Sequence, residues 1–294
     1  MQQASETVQR PEEREEEIWD HVEELIVRLK RVVKVFIVAT LILSFVPAPG
    51  GPAYSPLVAE LPKVLISHAV PQNITWMGKT YEVALAQFSP MAGFNILFKS
   101  ALLLGIIASS PVAIKETFEY IRPALYPHEE RIVKRYTIVG IILFLAGLAL
   151  AYYLVIPLAF RFMFITSLVV AGEQGLIAFA DVERLFTLAI QLMIATGILF
   201  EVPLVVYALL AAGIISPDFF TGERMKYAFV ASLIIGAIIS PDPSGLGMLF
   251  IAVPYYLLFY IAVKLGIRAH RNKDTEPRGA PPEASDFLGV DGSR

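Results

Sequence analysis

The stretch ATGILFEVPLVVYALL, residues 195–210, is an almost unbroken apolar run with one carboxylate, Glu201, near its middle. Hydrophobic residues make up 56% of the 294-residue chain and charged residues 17%, and the mean hydropathy is +0.62. A soluble domain of this length does not need so much apolar surface, whereas a bilayer-crossing helix needs about 20 mostly apolar residues. The run therefore predicts a membrane span, and the composition predicts an all-α polytopic membrane protein.

Five further apolar runs accompany this one, so the sequence predicts six transmembrane helices. The predicted spans are 30–47, 95–119, 136–165, 184–212, 226–240 and 245–265. The last two are short and are joined by the tight polar turn PDPSG. We therefore expect an antiparallel hairpin that crosses a thinned bilayer or stops short of its far side.

Basic residues are distributed unevenly between the two ends of the predicted spans. They concentrate at both terminal flanks and in the second-to-third and fourth-to-fifth connections, whereas residues 48–94 carry only Lys63 and Lys79 and residues 166–183 carry none. The positive-inside rule then places both termini in the cytoplasm, as expected for a multi-pass protein of the cell membrane. The net charge of -3 is too small to indicate a nucleic-acid partner.

Three regions follow from this division. Residues 1–29 are predicted to form a cytoplasmic amphipathic helix that lies on the membrane surface before turning into the first span. Residues 30–266 form the six-helix transmembrane domain, within which the proline-rich residues 48–94 form an external cap with a hairpin near Gly78. The polar residues 267–294 are expected to be a disordered cytoplasmic tail.

Two acidic positions on the cytoplasmic side are candidates for binding a cationic ligand. Glu24 precedes Arg28 by four residues, so it is either half of a solvated helical pair worth about 0.2–0.5 kcal/mol or a receptor for a cation. Glu129 and Glu130 follow Pro127, where the dipole of a helix favours negative charge. Each carboxylate can bind a guanidinium through two hydrogen bonds, so two separate sites suit a ligand with two neighbouring arginines.

Glu201 has two interpretations. A charged acid at the middle of a span costs about 2.5–3.5 kcal/mol, so it faces protein or water, or is protonated. Gln191 and Thr196 are its polar neighbours on the same predicted helix. Glu201 is either a neutral, hydrogen-bonded acid that fixes helix packing or the point where a partner's transmembrane helix supplies a hydrogen-bonding group, and we favour the second.

Five short segments carry a family resemblance through their order and the lengths of the spans between them. They are HVEELIVRL (21–29), FSPMAGFNILFK (88–99), RPALYPHEER (122–131), FEVP (200–203) and SPDP (240–243). Together they resemble the TatC family, the core receptor subunit of the twin-arginine protein translocase, over residues 15–266.

This resemblance implies a concave, glove-like bundle of six helices that binds the twin-arginine signal peptides of folded proteins. It also implies single-span partners of the TatA and TatB type, which join this subunit in an oligomeric translocase in the lipid bilayer. Export in that family is driven by the proton motive force, without a cofactor or an enzymatic activity on this subunit.

The resemblance also assigns residues. Glu24 matches the signal-binding acid of the family's first cytoplasmic segment, and Arg28 matches the basic residue that follows it. Glu129, beside His128 in YPHEER, matches the second signal-binding acid. Glu201 of FEVP matches the intramembrane glutamate of the fourth span.

On the external side the match is less complete. Asp181 resembles an acid of the second external loop, Lys99 matches the lysine that opens the second span, and Pro90 fits the family's pattern. Ala92 stands where the family often has an acid, and Ile26 stands where an arginine is usual.

The rival interpretation is a proton-coupled small-solute transporter in which Glu201 is the carrier acid. It predicts further ionisable residues or broken helices facing Glu201 near mid-membrane. An intramembrane enzyme is disfavoured, because the four histidines lie outside the predicted spans and the chain has no cysteine. No catalytic or metal-ligating residue is therefore predicted.

Overall fold

The computed structural model describes residues 11–48, 55–76, 78–125, 130–171, 179–220, 222–241 and 245–275. These residues are mostly helical. The helices are α1 (Pro11–Phe45), α2 (Leu57–Ala69), α3 (Ala92–Leu125), α4 (Glu130–Leu150), α5 (Ile156–Ala171), α6 (Val182–Ala212), α7 (Arg224–Ile239) and α8 (Leu246–Thr275).

Helix α1 is one continuous helix of 35 residues. The predicted turn between a surface helix ending at residue 29 and a span beginning at residue 30 is therefore wrong. The reason is local, because residues 12–45 contain neither glycine nor proline to interrupt the backbone hydrogen bonds.

The structure contains four helical stretches, among the described residues, that are long and apolar enough to cross a membrane. They are Ala92–Tyr120, Val133–Val170, Val182–Ala212 and Leu246–Arg271. Helix α7 has 16 residues and so rises about 24 Å, less than the bilayer's hydrocarbon core of about 30 Å. The apolar part of α1 is preceded by Lys30, Arg31 and Lys34. These four stretches identify a membrane protein.

The last two helices differ in length. Helix α7 is as short as predicted, but α8 has 30 residues and continues to Thr275. The predicted short sixth span is therefore wrong, as is the predicted disorder for residues 267–275. Basic side chains near a helix C-terminus interact favourably with its dipole, and the segment IRAHRNK supplies them. Contacts of Phe229 with Tyr256 and of Gly236 with Ala252 show that α7 and α8 pack antiparallel, as expected for the hairpin.

The cap segment, residues 48–94, packs on the helices through α2. The buried residues of α2 are Val58, Pro62, Leu65 and Ala69, whose spacing places them on one face. Strands β1 (Asn73–Trp76) and β2 (Lys79–Glu82) form the predicted hairpin about Gly78. Strand β3 (Ala84–Ala86) pairs in parallel with β4 (Phe179–Asp181), which leads directly into α6 and so attaches the cap segment to that helix.

The core lies where α3, α4 and α6 pack together. Helices α4 and α5 form one long rod through a π-helical turn, Ala151–Val155, from which Tyr152 stacks on His68 of α2. Gly147 lets α4 approach α6, because a Cβ at this position would lie 2.7 Å from the carbonyl oxygen of Thr196. Close backbone approach at small residues is a common way for helices to associate in membranes.

Candidate functional site

Helices α1 and α3 meet in a cluster of charged side chains, here called the Arg28 network. Its members are Glu24, Arg28 and Arg31 of α1 and Lys115, Glu116 and Glu119 of α3. Residues three or four apart share a helix face, so each helix presents its charges to the other. The network joins residues that are 85 to 91 positions apart in sequence.

Arg28 is the centre of this network. Its Nε and Nη2 atoms donate to Oε1 of Glu24 at 3.0 and 2.6 Å. Its Nη1 atom donates to Oε2 of Glu116 and to Oε2 of Glu119, both at 3.1 Å. Because a guanidinium carries five N–H donors in a fixed plane, this one side chain links three carboxylates from two helices.

The three acids differ in exposure. Glu116 is 4% exposed and also accepts a hydrogen bond from Arg31, whereas Glu119 is 25% exposed and Glu24 is 38% exposed. Burial by itself lowers the pKa of Arg28, but its hydrogen bonds to the three acids raise that pKa above the ordinary value. Glu116 therefore links α3 to α1 inside the protein. Glu24 and Glu119 are the acids that solvent and a ligand can reach.

A cavity of about 460 Å³ opens beside the network. It is lined by Glu23, Glu24, Val27, Arg28, Arg31 and Glu119. This volume lies in the range of about 300–1,000 Å³ that is typical of small-ligand pockets. The cavity therefore has room for a cationic side chain against the accessible acids.

The structure brings Glu24 and Arg28 together, as their spacing predicted. Glu129 and His128 lie outside the described residues, in the connection between Leu125, where α3 ends, and Glu130, where α4 begins. Their predicted role in binding a ligand stays a prediction.

Sequence reasoning missed Glu116 and Glu119. Both lie in KETFEY, at the end of the segment predicted as the second span. A usable signal was present, because two acids three residues apart at the end of an apolar helix share one face and need a cationic partner. Which partner they find depends on tertiary packing.

Glu201 lies in the middle of α6, where α3 and α4 approach that helix. A Cβ added to Gly140 of α4 would lie 2.6 Å from Cγ2 of Ile114, 3.0 Å from Oε2 of Glu201 and 3.4 Å from Leu204. The absence of a side chain at Gly140 therefore makes the space that Glu201 occupies. Among the described residues, Oε1 of Glu201 is buried and has no hydrogen-bond partner.

The two predicted polar neighbours of Glu201 separate in the structure. Thr196 is fully buried against α4, and its Oγ1 also finds no hydrogen-bond partner within the described part of the chain. Gln191 is exposed and lines a different cavity of about 540 Å³ together with Lys99, Glu183 and Thr187. Ten residues of helix separate Gln191 from Glu201 by about 15 Å, so the structure does not bring these two side chains together.

The residues predicted for the external loop form a second polar cluster, between α3 and the start of α6. Lys99 donates to Oγ1 of Thr187 at 2.6 Å and to Oε1 of Glu183 at 3.2 Å, and Asn95 donates to the same Glu183 oxygen at 2.8 Å. Asp181 caps α6 by accepting from the Glu183 backbone N–H at 3.0 Å. Lys99 and Asp181 line the same cavity.

Pro90 belongs to the turn that begins α3. It is exposed and follows Ser89, whose side chain accepts from the Met91 backbone N–H at 3.2 Å and whose carbonyl accepts from the Ala92 N–H at 3.1 Å. Proline suits the second position of such a four-residue turn because its ring fixes φ near the value that this position needs. This position accounts for Pro90 by local structure.

Comparisons with known proteins agree on one family. A sequence model described as "TatC: Sec-independent protein translocase protein (TatC)" matches residues 20–254. The "Sec-independent protein translocase protein TatC" of Aquifex aeolicus (strain VF5) is 38% identical over 198 residues, which cover 66% of this chain and 79% of that protein. The protein of the same name from Cenarchaeum symbiosum (strain A) is 29% identical over 265 residues, 86% of this chain and 95% of that protein. A crystal structure described as "Twin Arginine Translocase Receptor- TatC" has a TM-score of 0.64 at 30% identity and covers 85% of this chain and 99% of that one.

Proposed function

The chain belongs to the TatC family, and is thus a membrane subunit of the Sec-independent, twin-arginine protein translocase, for which we propose the function of signal-peptide receptor. It binds the twin-arginine signal peptides of folded proteins and recruits TatA-type partners for export driven by the proton motive force. The observation that carries this proposal is the cavity beside the Arg28 network, which presents two accessible carboxylates at the junction of α1 and α3.

Glu24 is the first receptor acid. It is 38% exposed on the wall of the cavity, and its hydrogen bonds with Arg28 fix its rotamer. It accepts a guanidinium through two parallel hydrogen bonds, which a lysine ammonium cannot reproduce.

Glu129, with His128 beside it, is the second receptor acid. The connection that carries them joins α3 to α4, and α3 also carries Glu119 of the Arg28 network. Two acids reached from the same end of α3 suit a peptide with two consecutive arginines. The network therefore faces the cytoplasm, where signal peptides arrive, and both termini lie on that side.

Six spans follow from this orientation. Helix α1 crosses from the network to the cap segment, and α7 completes the hairpin with α8 at a place where the bilayer is thin. The cap segment then lies on the external side, together with the cluster of Lys99 and Asp181. The concave side of this bundle faces the partners.

Glu201 is the point at which a partner helix docks. Ile198 and Val202, one turn before it and one residue after it on α6, are 57% and 39% exposed. A TatA-type helix that packs on these side chains can offer a hydrogen-bonding group to the buried Oε1. The side chains nearest to Gly140 beside Glu201 are the apolar Ile114 and Leu204, which favours docking over a proton-carrier role.

The receptor function is tested by peptide binding. A labelled signal peptide with Arg-Arg is titrated against the purified protein beside its Lys-Lys twin, with Glu24→Gln and Glu129→Gln in parallel. We expect tighter binding of the Arg-Arg peptide and loss of this preference in either variant, because only ionised carboxylates reward a bidentate guanidinium. Equal, weak binding of both peptides with silent substitutions would overturn the receptor proposal and favour the transporter.

A further inference from the structure

Arg28 occupies the place in which a ligand's arginine would sit. We propose that it is an internal competitor: its guanidinium holds Glu24 and Glu119 while the cavity is empty, and the first arginine of a signal peptide displaces it. Glu119 thereby becomes a specificity-determining residue of the receptor site. This inference rests on the proposed function and names the acid pair that takes the first arginine.

The geometry of the contacts supports this assignment. Nε and Nη2 of Arg28 both bond one oxygen of Glu24, and Nη1 bonds one oxygen of Glu119. The two acids therefore contact the same guanidinium group, although one belongs to α1 and the other to α3. Two carboxylates already spaced for one guanidinium are spaced for another.

Exposure separates the exchangeable acids from the fixed one. Glu116 is 4% exposed, and its two oxygens bond Arg28 and Arg31. Glu24 and Glu119 are 38% and 25% exposed, and both line the cavity. A ligand that enters the cavity reaches these two acids while Glu116 keeps α1 attached to α3 through Arg31.

Competition with Arg28 lowers the affinity of the site for every cation, so that only a ligand with a comparable set of donors binds well. A guanidinium from the ligand replaces Arg28 with the same planar set of donors, so little is lost in the exchange. A lysine ammonium is a compact, strongly hydrated charge without a rigid planar set of donors, so it holds both acids less well than a guanidinium does. An arginine of the ligand therefore displaces Arg28, whereas a lysine does not.

The test replaces the competitor and keeps its charge. We expect the Arg-Arg peptide to bind Arg28→Lys about tenfold tighter than the wild type. The reason is that the lysine ammonium holds Glu24 and Glu119 less well than the planar guanidinium of arginine. Arg31→Lys is the comparison variant, since Arg31 is on the same helix and bonds Glu116 but neither of the exchangeable acids. Isothermal titration or fluorescence anisotropy in detergent gives the affinities, and melting temperatures record any loosening of α1.

Glu119→Gln is a second variant that leaves Arg28 in place. We expect its ratio of Arg-Arg to Lys-Lys affinity to fall about tenfold, because one of the two ionised acids that bind the incoming fork is lost. An unchanged ratio removes Glu119 from the receptor site and overturns the inference.

The outcomes separate the inference from the function on which it rests. Tighter binding in Arg28→Lys without a similar gain in Arg31→Lys supports the competitor role. Equal or weaker binding in Arg28→Lys, with the Arg-Arg preference of the wild type intact, overturns the competitor role and leaves the receptor function standing. A similar gain in both variants also overturns it, because general loosening of α1 then explains the effect. No Arg-Arg preference in the wild type or in Arg28→Lys overturns both.

Discussion

The Arg28 network and the surroundings of Glu201 differ in whether their buried polar atoms have hydrogen-bond partners. In the network, Glu116 is almost fully buried and both of its oxygens are bonded to arginines from another helix. On α6, the buried Oε1 of Glu201 and Oγ1 of Thr196 have no partner within the described residues. A buried polar group without a hydrogen bond is costly, so its presence calls for an explanation.

The difference separates two kinds of site. Paired charges where α1 meets α3 link the two helices and leave two accessible acids beside a cavity. At Glu201, one buried carboxylate oxygen has no hydrogen-bond partner among the described residues and can therefore accept a hydrogen bond from another group. Four predictions test this division, from the largest expected effect to the smallest.

Glu116→Ala is expected to destabilise the protein by about 3 kcal/mol. It removes the buried partner of Arg28 and Arg31 and leaves these cations facing each other, and breaking one side of a buried pair typically costs about 3–5 kcal/mol. The measurement is thermal unfolding in detergent, with Glu60→Ala on the exposed face of α2 as the control. Equal melting temperatures for Glu116→Ala and the wild type would show that the network does not hold α1 to α3.

Gly147→Ala is expected to destabilise the contact between α4 and α6 by about 1–3 kcal/mol, because the new methyl group meets backbone atoms that cannot rotate away. The matched control is Gly93→Ala on α3, where a Cβ meets nothing within 4 Å. Unfolding of the two variants is compared under the same conditions. If Gly147→Ala is as stable as Gly93→Ala, the two helices are free to move apart and do not fix the position of Glu201.

Glu201→Leu is expected to leave the free energy of unfolding unchanged or to raise it by about 1 kcal/mol, because it removes a buried oxygen that lacks a partner. The same change is expected to abolish binding of a TatA-type partner, whereas Glu201→Gln retains it. Melting temperature and co-purification with the partner are the two readouts. A large loss of stability in Glu201→Leu would mean that Glu201 is a packing residue, and the contrast with the Arg28 network would disappear.

Glu60→Gln is expected to have the smallest effect, since Glu60 belongs to an exposed pair. Hydrogen bonds from Lys63 and Ser55 hold the pKa of Glu60 below its ordinary value of 4.5, so its stabilising contribution is present at neutral pH. That contribution is lost as the pH falls through the lowered pKa. Melting temperatures of the wild type and the variant therefore differ slightly at pH 7 and converge at strongly acidic pH. Divergence on acidification would contradict this assignment.

Sequence patterns predicted the parts of the fold that depend on local composition. The apolar run around Glu201 predicted a span at 184–212, and α6 covers Val182–Ala212. The hairpin near Gly78 and the shortness of α7 were also predicted. These features follow from the lengths of apolar runs and from residues that favour turns, and both are visible in consecutive residues of the sequence.

The features that sequence did not predict depend on contacts between distant residues. Glu116 and Glu119 meet Arg28 across 88 and 91 positions, and no local pattern specifies that pairing. The separation of Gln191 from Glu201 depends on which helices pack on each face of α6. The length of α8 is not predicted because a polar segment favours disorder by composition alone, whereas polar residues with good helix propensity extend a helix when they follow one.

The most direct test of the division is photo-crosslinking from one position at each site. A photoreactive residue replaces Val27, which lines the Arg28-network cavity, or Val202, which lies beside Glu201; both side chains are exposed. We expect a twin-arginine signal peptide to crosslink from position 27 and a TatA-type partner to crosslink from position 202. A signal peptide that crosslinks from 202 and not from 27 would contradict it, because the arginines would then be recognised away from the paired acids.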